Sequence, residues 1–192
     1  MHHVQHDDRR ELTISTIGHS TRPLDTFVDL LRAHRVDTLV DVRTVPRSRR
    51  HPQFNRESLP ESLRAAGIGY THMPGLGGLR HPRCDSINTG WRNAGFRGYA
   101  DHMQTPEFDE NLRALVDRAR RERVAIMCAE AVPWRCHRSL IADALTARGI
   151  GVGHILSAER AQPHRLTPFA RVEGSTVTYP SSEPFDLPFD AS

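Results

Sequence analysis

Two of the three cysteines of this chain lie in one short stretch, "MCAEAVPWRCHRSLIADAL", which spans residues 127–145. The same stretch carries Glu130, His137 and Arg138, so thiol, carboxylate, imidazole and guanidinium groups lie close together along the chain. A cysteine thiolate beside a base is an activated nucleophile, and carboxylates and imidazoles transfer protons. The stretch therefore indicates a reactive site.

Cys136 is predicted to be the nucleophile or a ligand, and the more reactive thiol. We expect it in the first turn of a helix, where unpaired backbone N–H groups and the helix dipole favour a thiolate, and Arg135 and Arg138 add positive charge. Cys128 ends an apolar run and is expected to be more buried and less reactive, and Cys84 to be exposed. A phosphatase loop is excluded, because Arg138 follows Cys136 too closely.

Two carboxylates are candidates for proton transfer. Asp41 and Glu130 each end an apolar run that is predicted to be a strand, and two carboxylates in a partly dry cleft take different pKa values, one serving as acid and one as base. The alternative is that each holds a turn with an arginine. We expect one of them to be buried beside Arg43, Arg135 or Arg138, because a buried carboxylate needs a partner. The predicted catalytic residues are Asp41, Glu130, Cys136 and His137.

A thiolate metal site is an alternative. Zinc prefers thiolate and imidazole, so Cys128, Cys136 and His137 are suitable ligands. Seven residues separate the two cysteines, whereas ligand pairs in zinc sites are usually about two to four residues apart. A fourth ligand would come from His19 or His72. No residue is assigned as a metal ligand, and the cofactor is left unknown.

Residues suited to ligand binding follow the other predicted strands. Arginine binds phosphate and carboxylate through paired donors, and glycines allow close backbone approach. The "PGLGG" loop lacks the lysine and the spacing of established nucleotide-binding loops. Since ligands of open parallel sheets bind beyond the carboxyl ends of the strands, these residues are predicted to converge on one edge. The predicted substrate-binding residues are Gly18, His19, Ser20, Arg43, Asn55, Gly77, Gly78, Cys128 and Arg138.

The elements that must position these residues alternate between strands and helices. Apolar runs predict strands at 12–17, 37–42, 68–73, 123–129 and 151–156, and helical spacing predicts helices at 23–35, 56–67, 96–103, 106–122 and 135–149. A hairpin is predicted at 170–179, turning at Glu173 and Gly174. This pattern is typical of a Rossmann-like α/β fold, a mainly parallel sheet flanked by helices. One domain is expected over residues 12–180, with loose termini at 1–11 and 181–192.

Composition indicates a globular cytoplasmic protein. No apolar run approaches the roughly 18 residues of a membrane helix, and three widely spread cysteines argue against a disulfide framework. The net charge is +3, and every basic side chain other than histidine is arginine because lysine is absent. This skew is weak evidence for nucleic-acid binding, so the placement of individual arginines is the better guide.

Several blocks of the chain resemble one family in the same order. The blocks are "TIGHS", "DVRTVPRSR", "GYTHMPGLGG", "FRGYADHM" and "MCAEAVPWRCHRSLIADAL". Together they are similar to the DUF488 family, whose most specific block is the closing Cys-x-Glu and Cys-His-Arg combination. The resemblance implies the α/β fold and the position of the site, and it implies no particular reaction.

The favoured prediction is an enzyme that acts on an anionic substrate, a nucleotide or nucleic-acid component, in a cleft at the strand ends. In that prediction Arg43 and Arg138 bind the anion. One alternative is a non-catalytic module that binds nucleic acid or a phosphorylated ligand in the same cleft. The other is the thiolate metal site. Oligomeric state and substrate are not predicted.

Overall fold

The computed structural model describes residues 12–181, and the predicted loose termini lie outside the described residues, apart from Ser181. The described residues contain five α-helices and eight strands. The helices are α1 Leu24–Ala33, α2 Leu59–Ala65, α3 Ala94–His102, α4 Pro106–Ala119 and α5 Arg138–Thr146. The strands are β1 Thr13–Gly18, β2 Thr38–Asp41, β3 Gly69–His72, β4 Val124–Cys128, β5 Gly151–Ile155, β6 Gln162–Pro163, β7 Arg171–Glu173 and β8 Thr176–Thr178.

Six strands form one sheet in the order β3-β2-β4-β1-β5-β6. All pairings are parallel except that of β5 with the two-residue edge strand β6, which is antiparallel. The prediction of a mainly parallel sheet flanked by helices is confirmed. The predicted C-terminal hairpin is confirmed as β7 and β8, and Gly174 in its turn has a φ of 60°.

Helices cover both faces of the sheet because each central strand is apolar on both sides. Leu39 of β2 packs in a core with residues of α1 and α2, such as Phe27 and Leu63. The next residue, Val40, packs in a second core with residues of α4 and α5, such as Leu112. The chain therefore leaves β1 and β2 toward one face and β3 and β4 toward the other, which opens a crevice beyond the strand ends.

Local signals fix the helix ends. The side chains of Asn93 and Thr105 accept hydrogen bonds from the first turns of α3 and α4, as N-caps do. Gly67 and Gly149, the last residues of the helices predicted at 56–67 and 135–149, follow α2 and α5 with φ of 77° and 74°, a region that glycine enters without strain.

The long segment between β3 and α3 is held in place by buried side chains. It begins with a 3₁₀ turn at Pro74–Leu76, and the Tyr99 hydroxyl donates to the Leu76 carbonyl at 2.9 Å. Buried Asn88 donates to Asp101 at 2.8 Å. These bonds bring the glycine-rich start of the loop to the edge of the sheet. Among residues 12–181, no helix is long and apolar enough to cross a bilayer.

Candidate functional site

Three neighbouring strands end at one level of the sheet. Gly18 of β1 pairs with Cys128 of β4, and Asp41 of β2 pairs with Met127 of β4. The predicted polar groups after these strands thus lie along one edge, as expected from their position at the carboxyl ends of parallel strands.

Asp41 and Arg43 form a buried, bidentate ion pair. Asp41 is fully buried and Arg43 is 7 % exposed. Arg43 Nε and Nη2 donate to the two Asp41 oxygens at 2.9 and 2.6 Å, and the Tyr70 hydroxyl donates to Asp41 at 2.8 Å. Burial and the Asp41 charge raise the pKa of Tyr70, so its proton stays in place. The predicted buried carboxylate beside an arginine is confirmed for Asp41, while Glu130 is exposed.

His19 holds Arg43 rather than facing the crevice. Its ring stacks on Phe54 with centroids 4.4 Å apart, and its Nδ1–H donates to the Ser20 carbonyl at 2.9 Å. Nε2 then accepts from Arg43 Nη1 at 3.2 Å. Burial, partly opposed by the bond to Ser20, lowers the pKa of His19 to about 4. His19 is therefore neutral at pH 7 and positions the arginine.

Cys136 lies before the helix, and the prediction that it belongs to the first helical turn is wrong. Pro133 opens a 3₁₀ turn that ends at Arg135, Cys136 is extended with φ −139° and ψ 146°, and α5 begins only at Arg138. Cys136 is 3 % exposed and Cys128 is 8 % exposed, so the expectation that Cys128 is the more buried thiol is also wrong. Cys84 is exposed, as predicted.

Cys128, Cys136 and His137 form a compact cluster. The Cys136 sulfur lies 3.6 Å from His137 Nδ1, and the Cys128 sulfur lies 3.8 Å from the same atom. All three side-chain atoms lie within 4.8 Å of one another. His137 Nε2 is 3.1 Å from the Val42 carbonyl. A carbonyl only accepts, so Nε2 carries a proton and Nδ1 is the nitrogen that faces the two sulfurs.

The imidazole of His137 is held on both sides. The Tyr99 ring packs against it with centroids 5.0 Å apart. On another side lies Gly78, where an added Cβ would be 2.7 Å from His137 Cγ and closer still to Nδ1. Only glycine allows the backbone to approach so closely, which gives a packing role to one of the predicted substrate-binding residues.

The two thiols have opposite electrostatic character. A hydrogen bond from Cys128, together with the nearby His137 and Arg138, lowers the pKa of Cys136 well below its ordinary value, although burial opposes this. The same hydrogen bond and burial raise the pKa of Cys128. Cys136 therefore carries the negative charge of the pair and Cys128 keeps its proton.

Arg138 is buried beneath this cluster at 1 % exposure. Its Nη2 donates to the Glu130 carbonyl at 2.6 Å and its Nη1 to Thr16 Oγ1 at 3.2 Å. Nε has no hydrogen-bond partner in the part of the chain that the structure describes. Arg138 also leaves no room for a side chain at Gly18, because a Cβ there would lie 2.8 Å from Nη2. Both nitrogens at the tip of the guanidinium are thus used within the protein.

A chain of buried hydrogen bonds runs from Arg138 to a buried carboxylate. Because Thr16 accepts from Arg138, its hydroxyl donates to His154 Nδ1 at 2.8 Å. His154 Nε2–H donates to His164 Nδ1 at 3.0 Å, and His164 Nε2–H donates to Asp143 at 2.8 Å. Burial, with the positive charge of Arg138 added, lowers the pKa of His154 to about 4. The chain links the charge of Arg138 to that of Asp143.

A pocket of about 330 Å³ opens above the cluster. Six of the predicted site residues line it. They are Arg43, Gly78, Cys128, Glu130, Cys136 and His137. Arg43 forms part of the pocket wall, but its guanidinium is not available to a ligand because it is bound to Asp41.

Seven of the predicted site residues lie outside this lining and make contacts within the protein. Asn55 accepts from the Ser48 backbone at 2.6 Å and closes a surface loop. Gly77 packs on Thr44, leaving no room for a Cβ. The residues outside the lining are Gly18, His19, Ser20, Asp41, Asn55, Gly77 and Arg138.

The structure adds lining residues that were not in the predicted site. Arg135 is exposed at the pocket, and Val45, Leu79 and Phe96 form apolar walls. Arg135 directly precedes Cys136, so its charge was visible in the sequence as a flanking group. Val45 and Leu79 are 61 % and 73 % exposed. Large apolar side chains at such exposure beside a pocket are typical of a binding surface, but no spacing in the sequence predicts them.

The cluster is the one group of potential metal ligands found among residues 12–181. Neither histidine proposed as a fourth ligand belongs to it. His19 is used by Ser20 and Arg43, and His72 Nε2 lies 2.8 Å from the Arg43 carbonyl. A fourth ligand would therefore come from solvent or from a bound molecule in the pocket.

Fold and site together define an α/β protein with a cysteine–histidine cluster beneath a pocket at the carboxyl edge of a parallel sheet. A family model described as "Domain of unknown function DUF488" matches residues 23–145. The chain belongs to this family. The matched range includes the cluster and the pocket, and it begins after the Gly18-His19-Ser20 block. No curated protein and no solved structure matches the chain.

Proposed function

We propose that this protein is an enzyme that acts on a small anionic substrate, a nucleotide or nucleic-acid component, in the pocket above the cysteine–histidine cluster. One observation carries the proposal: the cluster of Cys128, Cys136 and His137 and the exposed arginine Arg135 line the same pocket. A reactive group and an anion-binding group thus reach one bound molecule.

The lining supports the substrate class. A volume of about 330 Å³ suits a small molecule, because ligand pockets are commonly about 300–1,000 Å³ and mostly apolar with a few placed polar groups. Val45, Leu79 and Phe96 provide apolar surface for a base or another flat ring. Arg135 makes no ion pair with any carboxylate of residues 12–181, so its guanidinium is available to a phosphate or carboxylate.

The arrangement also supports catalysis. The cluster supplies the reactive centre at the bottom of the pocket. Glu130 lines the pocket with an exposed carboxylate, which suits proton transfer to or from a bound substrate. Asp41 does not share this role, because its oxygens are occupied by Arg43 and Tyr70.

A non-catalytic binding module is a second candidate. Arg47, Arg49 and Arg50 are exposed on the loop that continues from the pocket wall at Val45. Positive side chains there would contact the backbone of a longer nucleic acid. Binding without turnover would favour this candidate over the enzyme.

The test is binding and turnover with matched ligands. Calorimetry with nucleoside monophosphates and with the corresponding nucleosides should show tighter binding of the monophosphates. Arg135→Ala should weaken monophosphate binding at least about tenfold, since a hydrogen bond to a charged group is worth about 1.5–3 kcal/mol. Arg121→Ala, an exposed arginine at the opposite edge of the sheet, is the matched control and should change nothing.

Chromatography of the incubated ligands then separates the two candidates. An enzyme should convert at least one monophosphate, and Glu130→Gln should abolish conversion while binding persists. Equal affinity for nucleosides and monophosphates, or an Arg135→Ala variant that binds as tightly as the wild type, would contradict the proposal.

A further inference from the structure

We propose that Cys128, Cys136 and His137 bind a zinc ion whose fourth coordination position faces the pocket. The proposal rests on the proposed function for its setting, because it names the reactive centre of the same pocket. Its evidence is separate, and consists of the geometry of the three ligand atoms, the orientation of the imidazole and the open side of the cluster.

The ligand atoms are spaced as zinc requires. Zinc bonds to sulfur at about 2.3 Å and to imidazole nitrogen at about 2.0–2.1 Å, which places neighbouring atoms of a tetrahedral site roughly 3.5–3.8 Å apart. The two sulfur-to-nitrogen distances at His137 Nδ1 are 3.6 and 3.8 Å. The third distance, between the two sulfurs, is within 4.8 Å, so one ion can reach all three atoms.

The imidazole is already oriented as a ligand. Its Nε2–H donates to the Val42 carbonyl at 3.1 Å, so Nδ1 is the ring nitrogen directed at the two sulfurs. A metal-bound histidine usually donates its other N–H to a carbonyl or carboxylate in this way, which fixes both tautomer and orientation. Gly78 and Tyr99 hold the ring on its other sides. Nδ1 here faces two sulfurs at once, and one shared ion would bind all three atoms.

The charges around the cluster suit thiolate ligands. Two thiolates neutralise the doubly charged ion, so metal binding buries no net charge of its own. Arg138 lies beneath the cluster without a carboxylate within ion-pair distance in the described range. A buried guanidinium favours deprotonated sulfur, which is the form that binds metal.

The open side of the cluster makes the site a catalytic rather than a structural one. Structural zinc sites use four protein ligands, whereas catalytic sites use three and leave one position for water or substrate. All three ligands line the pocket, together with Glu130 and Arg135. A zinc ion there would activate water for attack on a bound substrate. Glu130, two residues after the first ligand, would then be a neighbouring carboxylate and not a ligand.

Zinc itself is the probe. The full chain, purified under reducing conditions and treated with a chelator, is titrated with zinc in competition with a chromogenic chelator, and elemental analysis gives the stoichiometry. We expect one zinc per chain with a Kd below about 1 µM, corresponding to about −8 kcal/mol or tighter. Cobalt in place of zinc should give the intense bands of tetrahedral coordination and a thiolate charge-transfer band.

Variants locate the ion. Cys128→Ser, Cys136→Ser and His137→Ala should each weaken zinc binding by at least about 100-fold, since even loss of an outer contact of a metal ligand costs about 10–100-fold. Cys84→Ser removes the exposed thiol outside the cluster and should bind zinc as the wild type does. Zinc should also protect Cys128 and Cys136, and leave Cys84 unprotected, when the wild-type chain is alkylated and analysed by mass spectrometry.

The wild-type measurements keep the proposal falsifiable if a variant fails to fold. Less than half an equivalent of zinc bound, a cobalt spectrum without thiolate charge transfer, or equal zinc affinity in Cys136→Ser and wild type would overturn it. The proposal would also be overturned if the two cysteines were isolated as a disulfide and the reduced protein then bound no zinc. These results need no substrate, so a zinc-binding chain that ignores every nucleotide would refute the proposed function alone.

Discussion

Arg43 and Arg83 allow the energetic role of the buried ion pair to be measured against an exposed copy of the same geometry. Each arginine lies two residues from its aspartate and donates from Nε and Nη2 to the two carboxylate oxygens. The Arg43–Asp41 pair is 7 % and 0 % exposed, whereas the Arg83–Asp85 pair is 64 % and 63 % exposed. Replacement of each arginine by leucine therefore isolates the effect of burial.

Arg43→Leu should be strongly destabilising. It leaves Asp41 with the Arg43 backbone N–H and the Tyr70 hydroxyl as its remaining donors, and it also strips a donor from the Phe54 carbonyl. Removal of one partner of a buried ion pair costs about 3–5 kcal/mol. For a chain of 192 residues, this lowers Tm by roughly 6–20 °C, at about 2–4 °C per kcal/mol. Arg83→Leu should have little or no effect, because exposed ion pairs contribute little.

Urea unfolding followed by circular dichroism measures both variants. The Asp41→Leu/Arg43→Leu double variant completes the test, because replacing both partners of a buried pair by apolar side chains is often close to neutral. It should recover at least about 1 kcal/mol of the loss caused by Arg43→Leu alone. If Arg43→Leu and Arg83→Leu destabilise the protein equally, burial does not make the Arg43–Asp41 pair more costly to break, and the prediction is wrong.

Two further results are expected from single substitutions and from pH. Gly78→Ala places a methyl group 2.7 Å from His137 Cγ, so the ring must move by about 0.8 Å to reach an ordinary carbon contact. Gly78→Ala should therefore weaken zinc binding about tenfold or more. The control is Gly95→Ala, at the other pocket glycine, where the nearest atom to an added Cβ is 3.1 Å away, and it should leave zinc binding unchanged. Equal zinc affinity in the two variants would contradict the packing role of Gly78. The free energy of unfolding should fall as the pH drops from 6.5 to about 4, because His154 is neutral in the folded state with a pKa of about 4 and takes up a proton first in the unfolded chain. His154 should contribute at most about 3 kcal/mol of this loss, and His19, whose pKa is also lowered to about 4, adds a separate part. His154→Asn should therefore reduce the loss, while exposed His81→Asn should leave it unchanged. A flat profile in the wild type would show that His154 is not held neutral.

The family blocks and the hydrophobic periodicity were sufficient to predict most of the fold. The apolar runs ending near Ile17, Val42 and Cys128 became adjacent strands, because a strand buried on both faces needs a continuous apolar run and that run is local in sequence. Gly67 and Gly149 marked helix ends for the same local reason, since only glycine enters their φ without strain. The polar residues after these strands lie at one edge of the sheet because the strands are parallel.

The roles of the site residues depended on contacts that no local pattern records. Arg43 and Arg138 were predicted to bind an anion, yet one is consumed by Asp41 and the other by the Glu130 carbonyl and Thr16. An arginine is the same letter in the sequence whether its guanidinium faces solvent or lies buried. Its burial depends on which elements cover it, and therefore on packing between segments that are distant in the sequence.

The cysteine–histidine cluster shows most clearly how local sequence and tertiary packing contribute to the site. The sequence determined that thiol, imidazole and carboxylate groups would follow one strand. Only the tertiary structure placed Cys136 outside the helix, at 3.6 Å from an imidazole whose proton is committed to Val42 and whose ring rests on Gly78. Val42 and Gly78 belong to other parts of the chain, and their approach to His137 results from sheet pairing and loop packing, which depend on contacts far apart in sequence.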